Sequence, residues 1–276
     1  MKTIAAYRDT AKNFSNWLAQ KHPEVRLVTE IQPEHVQAWI DDRSEHWSTA
    51  TLENHITHIK YMEEQAKKAY GADKVHFFEP EKIKKPEKKE SVRSKAMSKK
   101  DIDILREAMK DSRSFAKDAL EITVRAGLRI DEVAHLRAED INLTQKTIYV
   151  SPEGAKNGRE RTVPIRDSDL IYFHELLARS PDTGYLTQIE AKSIDKAIRR
   201  YMKSAVDEDG RSLAEKYPNE TVHSIRKRYA TDRMQEERGS IPLADRKEEM
   251  KHWNKVSSEL GHGEGRSNLY KAYCKG

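Results

Sequence analysis

Residues 126–142 read AGLRIDEVAHLRAEDIN, and the organisation of the second half of the chain follows from how this stretch is parsed. A helical pattern from Phe115 to Arg125 gives way to a Gly-Leu-Arg turn at 127–129. Apolar spacing then resumes from Ile130 to Leu136, with Glu132 three residues after Arg129. Near Ile148 the texture changes. TIYV at 147–150 and RTVPI at 161–165 are β-rich runs, and the intervening SPEGAKNGRE contains Asn157-Gly158, a strong hairpin turn signal. Helical patterns return at Leu170–Leu177, Ile194–Met202, Val222–Met234 and Met250–Leu260, followed by a short terminal helix from about Asn268. The expected fold is mainly α with a small antiparallel β-sheet.

Working upstream, Ser98 suits an N-cap with Asp101 at the third helical position, and Ile102, Leu105 and Met109 follow at helical spacing, so a domain begins here. Before it lies a basic stretch. Residues 81–100, EKIKKPEKKESVRSKAMSKK, hold nine basic residues against Glu81, Glu87 and Glu90, a local excess of six, which is more than the +5 of the whole chain. Such a run attracts phosphate backbones through counterion release. Residues 1 to about 75 read as a small helical bundle. Ala5, Tyr7, Phe14, Trp17 and Leu18 share one face, Pro33 opens a helix with Val36, Trp39 and Ile40, and Ser48 or Thr49 caps a third with Leu52, Ile56, Ile59 and Met62. His55 and His58 share a face of that third helix but lack a further ligand, so they read as packing or surface residues. The expected division is a helical domain over 1–80, a basic linker over 81–97 and a second domain over 98–276.

Composition narrows the classes. The 276 residues suit one large domain or two ordinary ones. With 35% charged and 7% aromatic residues, the chain is expected to be soluble and helix-rich rather than a β-sandwich. No apolar run approaches a membrane span and the first residues do not resemble a signal peptide, so the expected location is the cytoplasm. The single cysteine, Cys274, excludes an intramolecular disulfide framework and a cysteine-cluster metal site.

The chemistry-bearing residues fall in order: Arg129, Lys156, His223-Ser224-Ile225-Arg226, Leu260-Gly261-His262 and the late Tyr270 and Tyr273. None is specific alone. As an ordered set, with AGLRIDEVAHLRAEDIN, GAKNGRERTVPI, HSIRKRYAT and SSELGHG around them, they resemble the signature of the tyrosine recombinase or phage integrase family over about residues 95–276. The N-terminal bundle and linker resemble that family's helical, SAM-like core-binding domain by architecture only.

Physical chemistry explains why these residue types occur together. A phosphodiester under attack gains charge on its non-bridging oxygens, and the guanidiniums of Arg129 and Arg226 can grip those oxygens through paired hydrogen bonds. No metal is then required. The resemblance implies a tyrosine nucleophile, a 3′-phosphotyrosyl link, and Lys156 as the acid for the leaving alkoxide. A phenol with a reference pKa near 10 must lose its proton, so His223 is the candidate base, with His262 donating to the phosphate and Glu132 orienting an arginine or histidine. Tyr273 lies eleven residues after His262 and Tyr270 eight, against a family spacing of about nine. The polar position five residues before the nucleophile favours Tyr273, and Tyr270 stays the alternative. Asp131 stands where glycine is common and Lys227 where many members have histidine.

These features imply a site-specific DNA recombinase of a mobile genetic element. It would need neither cofactor nor metal, act on double-stranded DNA with an inverted-repeat core site, and assemble as a homotetramer on that DNA. Lys84, Lys85, Lys88, Lys89, Arg93 and Lys95 are the expected backbone contacts. The charged segment from about 237 to 256 is expected to be an insertion that meets DNA or a neighbour, and with only three residues after Tyr273 the terminal helix could act in cis or in trans. Two other readings share the chemistry or the fold: a catalytically silent DNA-binding regulator and a type IB-like topoisomerase.

Overall fold

The computed structural model describes residues 2–84, 95–180, 184–218, 222–239 and 246–274. The chain divides into two compact units, 1–92 and 93–276. In the first, α1 (Lys2–Lys21), α2 (Pro33–Ser44) and α3 (Thr49–Tyr70) pack as a bundle. Pro33 sits in the first turn of α2, where its missing N–H costs nothing, and the Ser48 hydroxyl caps α3 by accepting from the Thr51 amide at 3.2 Å. Phe14, Trp17 and Leu18 meet Val36, Trp39, Ile40 and Ile59, and the irregular segment after α3 adds Val75, Phe77 and Ile83 to the same core. Each large buried side chain here contributes roughly 1.5–3 kcal/mol. His55 and His58 are indeed packing residues: the buried Thr10 hydroxyl lies 2.8 and 2.7 Å from their Nδ1 atoms.

Of the expected DNA contacts, Lys84 and Lys95 are exposed, and the Lys84 amide donates to Gln37 Oε1 at 2.7 Å. Lys85, Lys88, Lys89 and Arg93 lie outside the described residues.

In the second unit, the buried side chain of Met97 and its amide bond to the Ser224 carbonyl at 3.0 Å fix the chain before α4 (Lys99–Ala108). Ser98 caps α4, accepting from the Asp101 amide at 3.0 Å. Then come α5 (Ala116–Ala126) and α6 (Ile130–Ala134), separated by a turn in which Gly127 is left-handed at φ 61°. The sheet follows, with β1 (Ile141–Asn142), β2 (Thr147–Val150) and β3 (Arg161–Pro164) in sequential antiparallel order. Ile148 pairs with Val163 and both are buried, so this face packs on the helical core. In the β2–β3 loop, Asn157 and Gly158 both take left-handed values, φ 62° and 63°, as an Asn-Gly turn prefers.

α7 (Leu170–Ala178), α8 (Ala191–Ser204) and the short α9 (Leu213–Lys216) complete the main core. α10 (Val222–Arg238) packs against α5, α11 (Arg246–Glu259) and α12 (Ser267–Cys274). Of the segment expected to be an insertion, Glu237 and Arg238 end α10 and residues 246–256 lie in α11, with the Lys255–Glu237 ion pair at 2.8 Å between them, whereas residues 240–245 lie outside the described residues. Tyr229, Ala230, Met234, Trp253, Val256, Leu260, Tyr270 and Tyr273 form a second buried cluster that docks α12 on its own chain. The Trp253 indole donates to the Arg266 carbonyl at 2.9 Å, fixing the turn before α12.

Candidate active site

The turn between α5 and α6 presents Arg129, and the first turn of α6 places Glu132 beneath it. The Glu132 carboxylate, fully buried, accepts from the Arg129 amide at 2.8 Å and from its Nη1 at 2.7 Å. Arg161, at the start of β3, forks onto the same carboxylate at 2.9 and 2.7 Å. Arg226 Nη1 lies 3.8 Å away. Burial alone would raise the Glu132 pKa. The hydrogen bonds and charge of Arg161, with Arg226 and the Arg129 amide, outweigh it and hold the carboxyl at about 2.

Arg226 is 2% exposed and donates to the carbonyls of Gly127 and Leu260, which ties α10 to the two turns carrying Arg129 and His262. Burial and the neighbouring Arg129 charge bring it down to about 10, so it stays a cation at neutral pH. Its Nε is buried with no hydrogen-bond partner among the described residues, an uncommon state for so polar an atom. Gly261, left-handed at φ 68°, lies over the guanidiniums: a Cβ there would stand 2.9 Å from Arg161 Nη1 and 3.2 Å from Arg129 Nη1. The glycine between Leu260 and His262 thus satisfies both the backbone and the packing.

His223, in the first turn of α10, and His262 flank the Tyr273 ring edge-on, at 5.5 and 5.2 Å between ring centres. The Tyr273 hydroxyl lies 3.5 Å from His262 Nε2, while His262 Nδ1 is buried without a partner among the described residues. The Lys227 ammonium stands 5.8 Å from the centre of the Tyr273 ring. Burial, then the charges of Lys227, Arg226 and Arg129, lower His223 to about 4. Burial, then Arg226 and Arg129, lower His262 to about 3. Both imidazoles are neutral at pH 7.

Tyr270 is placed differently. Its hydroxyl bonds the Glu249 carboxylate of α11, and burial together with that carboxylate pushes its pKa up. Cys274 is raised to about 12 by burial and Glu249, so its thiol is protonated. The structure therefore gathers Arg129, Glu132, His223, Arg226, His262 and Tyr273, and turns the Tyr270 hydroxyl toward Glu249. Lys156 is exposed in the β2–β3 loop rather than inside this group. The base of its loop is nonetheless pinned: a Cβ on Gly154 would lie 2.9 Å from the Asp131 carbonyl, so the loop is packed on α6 two residues before the lysine.

Arg161 was not among the residues singled out from sequence. Its only signal is its place at the head of the β-rich run after the lysine loop. Among the described residues one group has metal-ligand proximity, His22, Glu24 and His35 in the first unit, with ligand atoms within 4.8 Å of one another. His35 Nδ1 accepts from the Gln32 amide at 3.1 Å, which leaves the proton of the neutral ring on Nε2 and neither nitrogen available without breaking that cap. No described helix is long and apolar enough to cross a membrane.

Solved structures with this fold include a lambda integrase dimer bound to a COC′ core site. It has a TM-score of 0.69 and 15% identity, over 99% of this chain and 88% of that one. The Tn1549 transposon integrase in complex with transposon right end DNA gives 0.70 and 14% identity, over 97% and 88%. At these identities the likeness defines an integrase fold. Residues 95–246 match the Phage integrase family, and the chain belongs to that family. Among curated relatives, the tyrosine recombinase XerA of Pyrococcus furiosus is 30% identical over 107 residues, which is 38% of this chain and about a third (36%) of that protein.

Proposed function

We propose that this protein is a site-specific DNA recombinase that cuts and rejoins strands through a 3′-phosphotyrosyl intermediate, with Tyr273 as nucleophile. The observation that carries the reading is the Tyr273 hydroxyl at 3.5 Å from His262 Nε2, in a pocket shared with His223 and close to Arg226 and Arg129. Arg129 and Arg226 meet the non-bridging oxygens as charge grows on them, from fixed positions that need no rearrangement during the reaction. The phenolic proton passes to a neutral imidazole. Sequence alone pointed to His223 for this step, and the distance favours His262, with His223 edge-on to the same ring. Lys156, on a loop anchored at Gly154, closes on the phosphate and donates a proton to the leaving 5′ oxygen. The bond energy is kept in the phosphotyrosine, so the step needs no nucleotide.

The first unit, with the basic stretch after it, serves as a core-binding domain on duplex DNA, and four protomers act together on an inverted-repeat core site in the cytoplasm. Integrases of the same fold solved on DNA, including a lambda integrase tetramer bound to a Holliday junction, support this assembly. The test uses nicked duplexes carrying candidate inverted repeats sought in the DNA beside the gene. A covalent adduct followed by strand exchange is expected. An adduct without exchange points to a topoisomerase, and tight binding without adduct to a silent regulator.

A further inference from the structure

Arg161 holds a position that an ordinary strand arginine does not. Its side chain is 9% exposed, Nη1 and Nη2 reach the two oxygens of Glu132, and Nε donates to the Glu259 carbonyl at 2.6 Å. A carboxylate has about four acceptor sites. Those of Glu132 are filled by two bonds from Arg161 and two from Arg129, one of them from its backbone amide. On the other side, Glu259 ends α11 and is followed by the Leu260-Gly261-His262 turn, and Gly261 rests against Arg161 and Arg129 together.

We propose that Arg161 is a positioning residue: through one guanidinium it fixes Arg129, by way of Glu132, and the His262 turn, by way of the Glu259 carbonyl, relative to the strand that leaves the Lys156 loop. Its effect on catalysis rests on the recombinase reading above, whereas its effect on Arg129 does not. Three chain segments distant in sequence must agree to within a fraction of an ångström for their groups to share one phosphate. The planar fork of arginine can satisfy Glu132 and Glu259 at once. A lysine has the charge, but its three N–H donors radiate from a single nitrogen, so it cannot span the Glu132 carboxylate and the Glu259 carbonyl as the three arginine nitrogens do. Without the fork, Glu132 would lose two buried donors, and the nearest replacement is Arg226 at 3.8 Å, a residue the phosphate needs.

The test compares the full-length protein with Arg161→Lys in two measurements. Arginine side-chain NMR reads whether the Arg129 Nε–H stays ordered and slow to exchange. The rate of covalent adduct formation on nicked duplex reads the consequence, alongside DNA affinity and melting temperature. The expected result is loss of Arg129 order, an adduct rate roughly 10- to 100-fold slower, and DNA affinity within about threefold of wild type. An Arg129 signal as ordered as in the wild type overturns the proposal, and so does an adduct rate within about twofold of it. If Arg129 loosens while even the wild-type protein forms no adduct, the recombinase reading fails and the positioning role stands. Should Arg161→Lys melt below the assay temperature, Arg161→Gln, which keeps one donor for Glu132, is measured in the same way.

Discussion

The Tyr273 hydroxyl lies 3.5 Å from Nε2 of His262, while Tyr270, one turn earlier on the same helix, gives its hydroxyl to Glu249. Two phenols three residues apart thus meet opposite surroundings, a pocket of neutral imidazoles and arginines for one and a buried carboxylate for the other. The second arrangement opposes ionisation of Tyr270 and fastens α12 to α11.

Tyr270→Phe should therefore keep adduct formation and lose stability. Removing a hydroxyl from a buried carboxylate costs about 1–3 kcal/mol. Denaturant unfolding measures the loss, and an adduct gel run well below the melting temperature measures the activity. An unchanged stability together with a vanished adduct would contradict this division of roles.

Glu132→Gln should do more harm than its single lost charge suggests. One partner of a buried multi-arginine site is neutralised, which leaves Arg129, Arg161 and Arg226 repelling one another, and breaking such a site typically costs roughly 3–5 kcal/mol. In a double-mutant cycle with Arg161→Lys, the two losses in adduct rate should not multiply, because both changes break the same bonds. Multiplicative losses would mean that the two residues act independently.

Gly261→Ala forces a non-glycine residue into the left-handed region, at about 1–3 kcal/mol. It also presses a methyl group between the guanidiniums of Arg129 and Arg161. Adduct formation should fall by at least tenfold while DNA affinity changes little, as read by single-turnover kinetics and a binding titration. Equal losses in both would place the glycine in DNA binding.

Acid sensitivity follows from the imidazoles and Glu132. His223 and His262 have folded pKa values of about 4 and 3, below the ordinary 6.5, so the unfolded chain binds more protons between those values. Their contribution to stability is complete above pH 6.5 and is lost progressively as the pH falls toward 3. Glu132, at about 2 instead of 4.5, adds a second loss between pH 4.5 and 2. The melting temperature should drop between pH 6.5 and 4, and the drop should be smaller in a His223→Gln/His262→Gln variant. A drop of equal size in that variant would assign the sensitivity to other groups.

Much of this was legible in the sequence because the signals are local. Ser48 and Ser98 cap the helices expected of them, Asn157-Gly158 turns the loop between the two β-rich runs, and the apolar spacings that marked α8 and α10 bury Ile194, Ile198, Met202, Val222, Ile225 and Met234, whereas Phe115 at the head of the α5 pattern is exposed. β1 escaped notice because two residues, Ile141 and Asn142, are too few to show alternation, and α9 is a single turn. The residues of the candidate site could be picked out in the sequence as types in order, because each of those types suits phosphate chemistry. Arg161 was not readable, because its importance lies in bonds to Glu132 and to the Glu259 carbonyl, 29 and 98 residues away along the chain. The choice between Tyr270 and Tyr273 likewise depends on Glu249, whose approach to α12 no spacing rule encodes.

The most direct test of the central claim is mass spectrometry of the proteolysed adduct formed on nicked inverted-repeat DNA. A nucleotide 3′-phosphate carried on Tyr273, and absent from a Tyr273→Phe protein that still binds the DNA, is the predicted result. A nucleotide on Tyr270, or an adduct that persists in Tyr273→Phe, would contradict it.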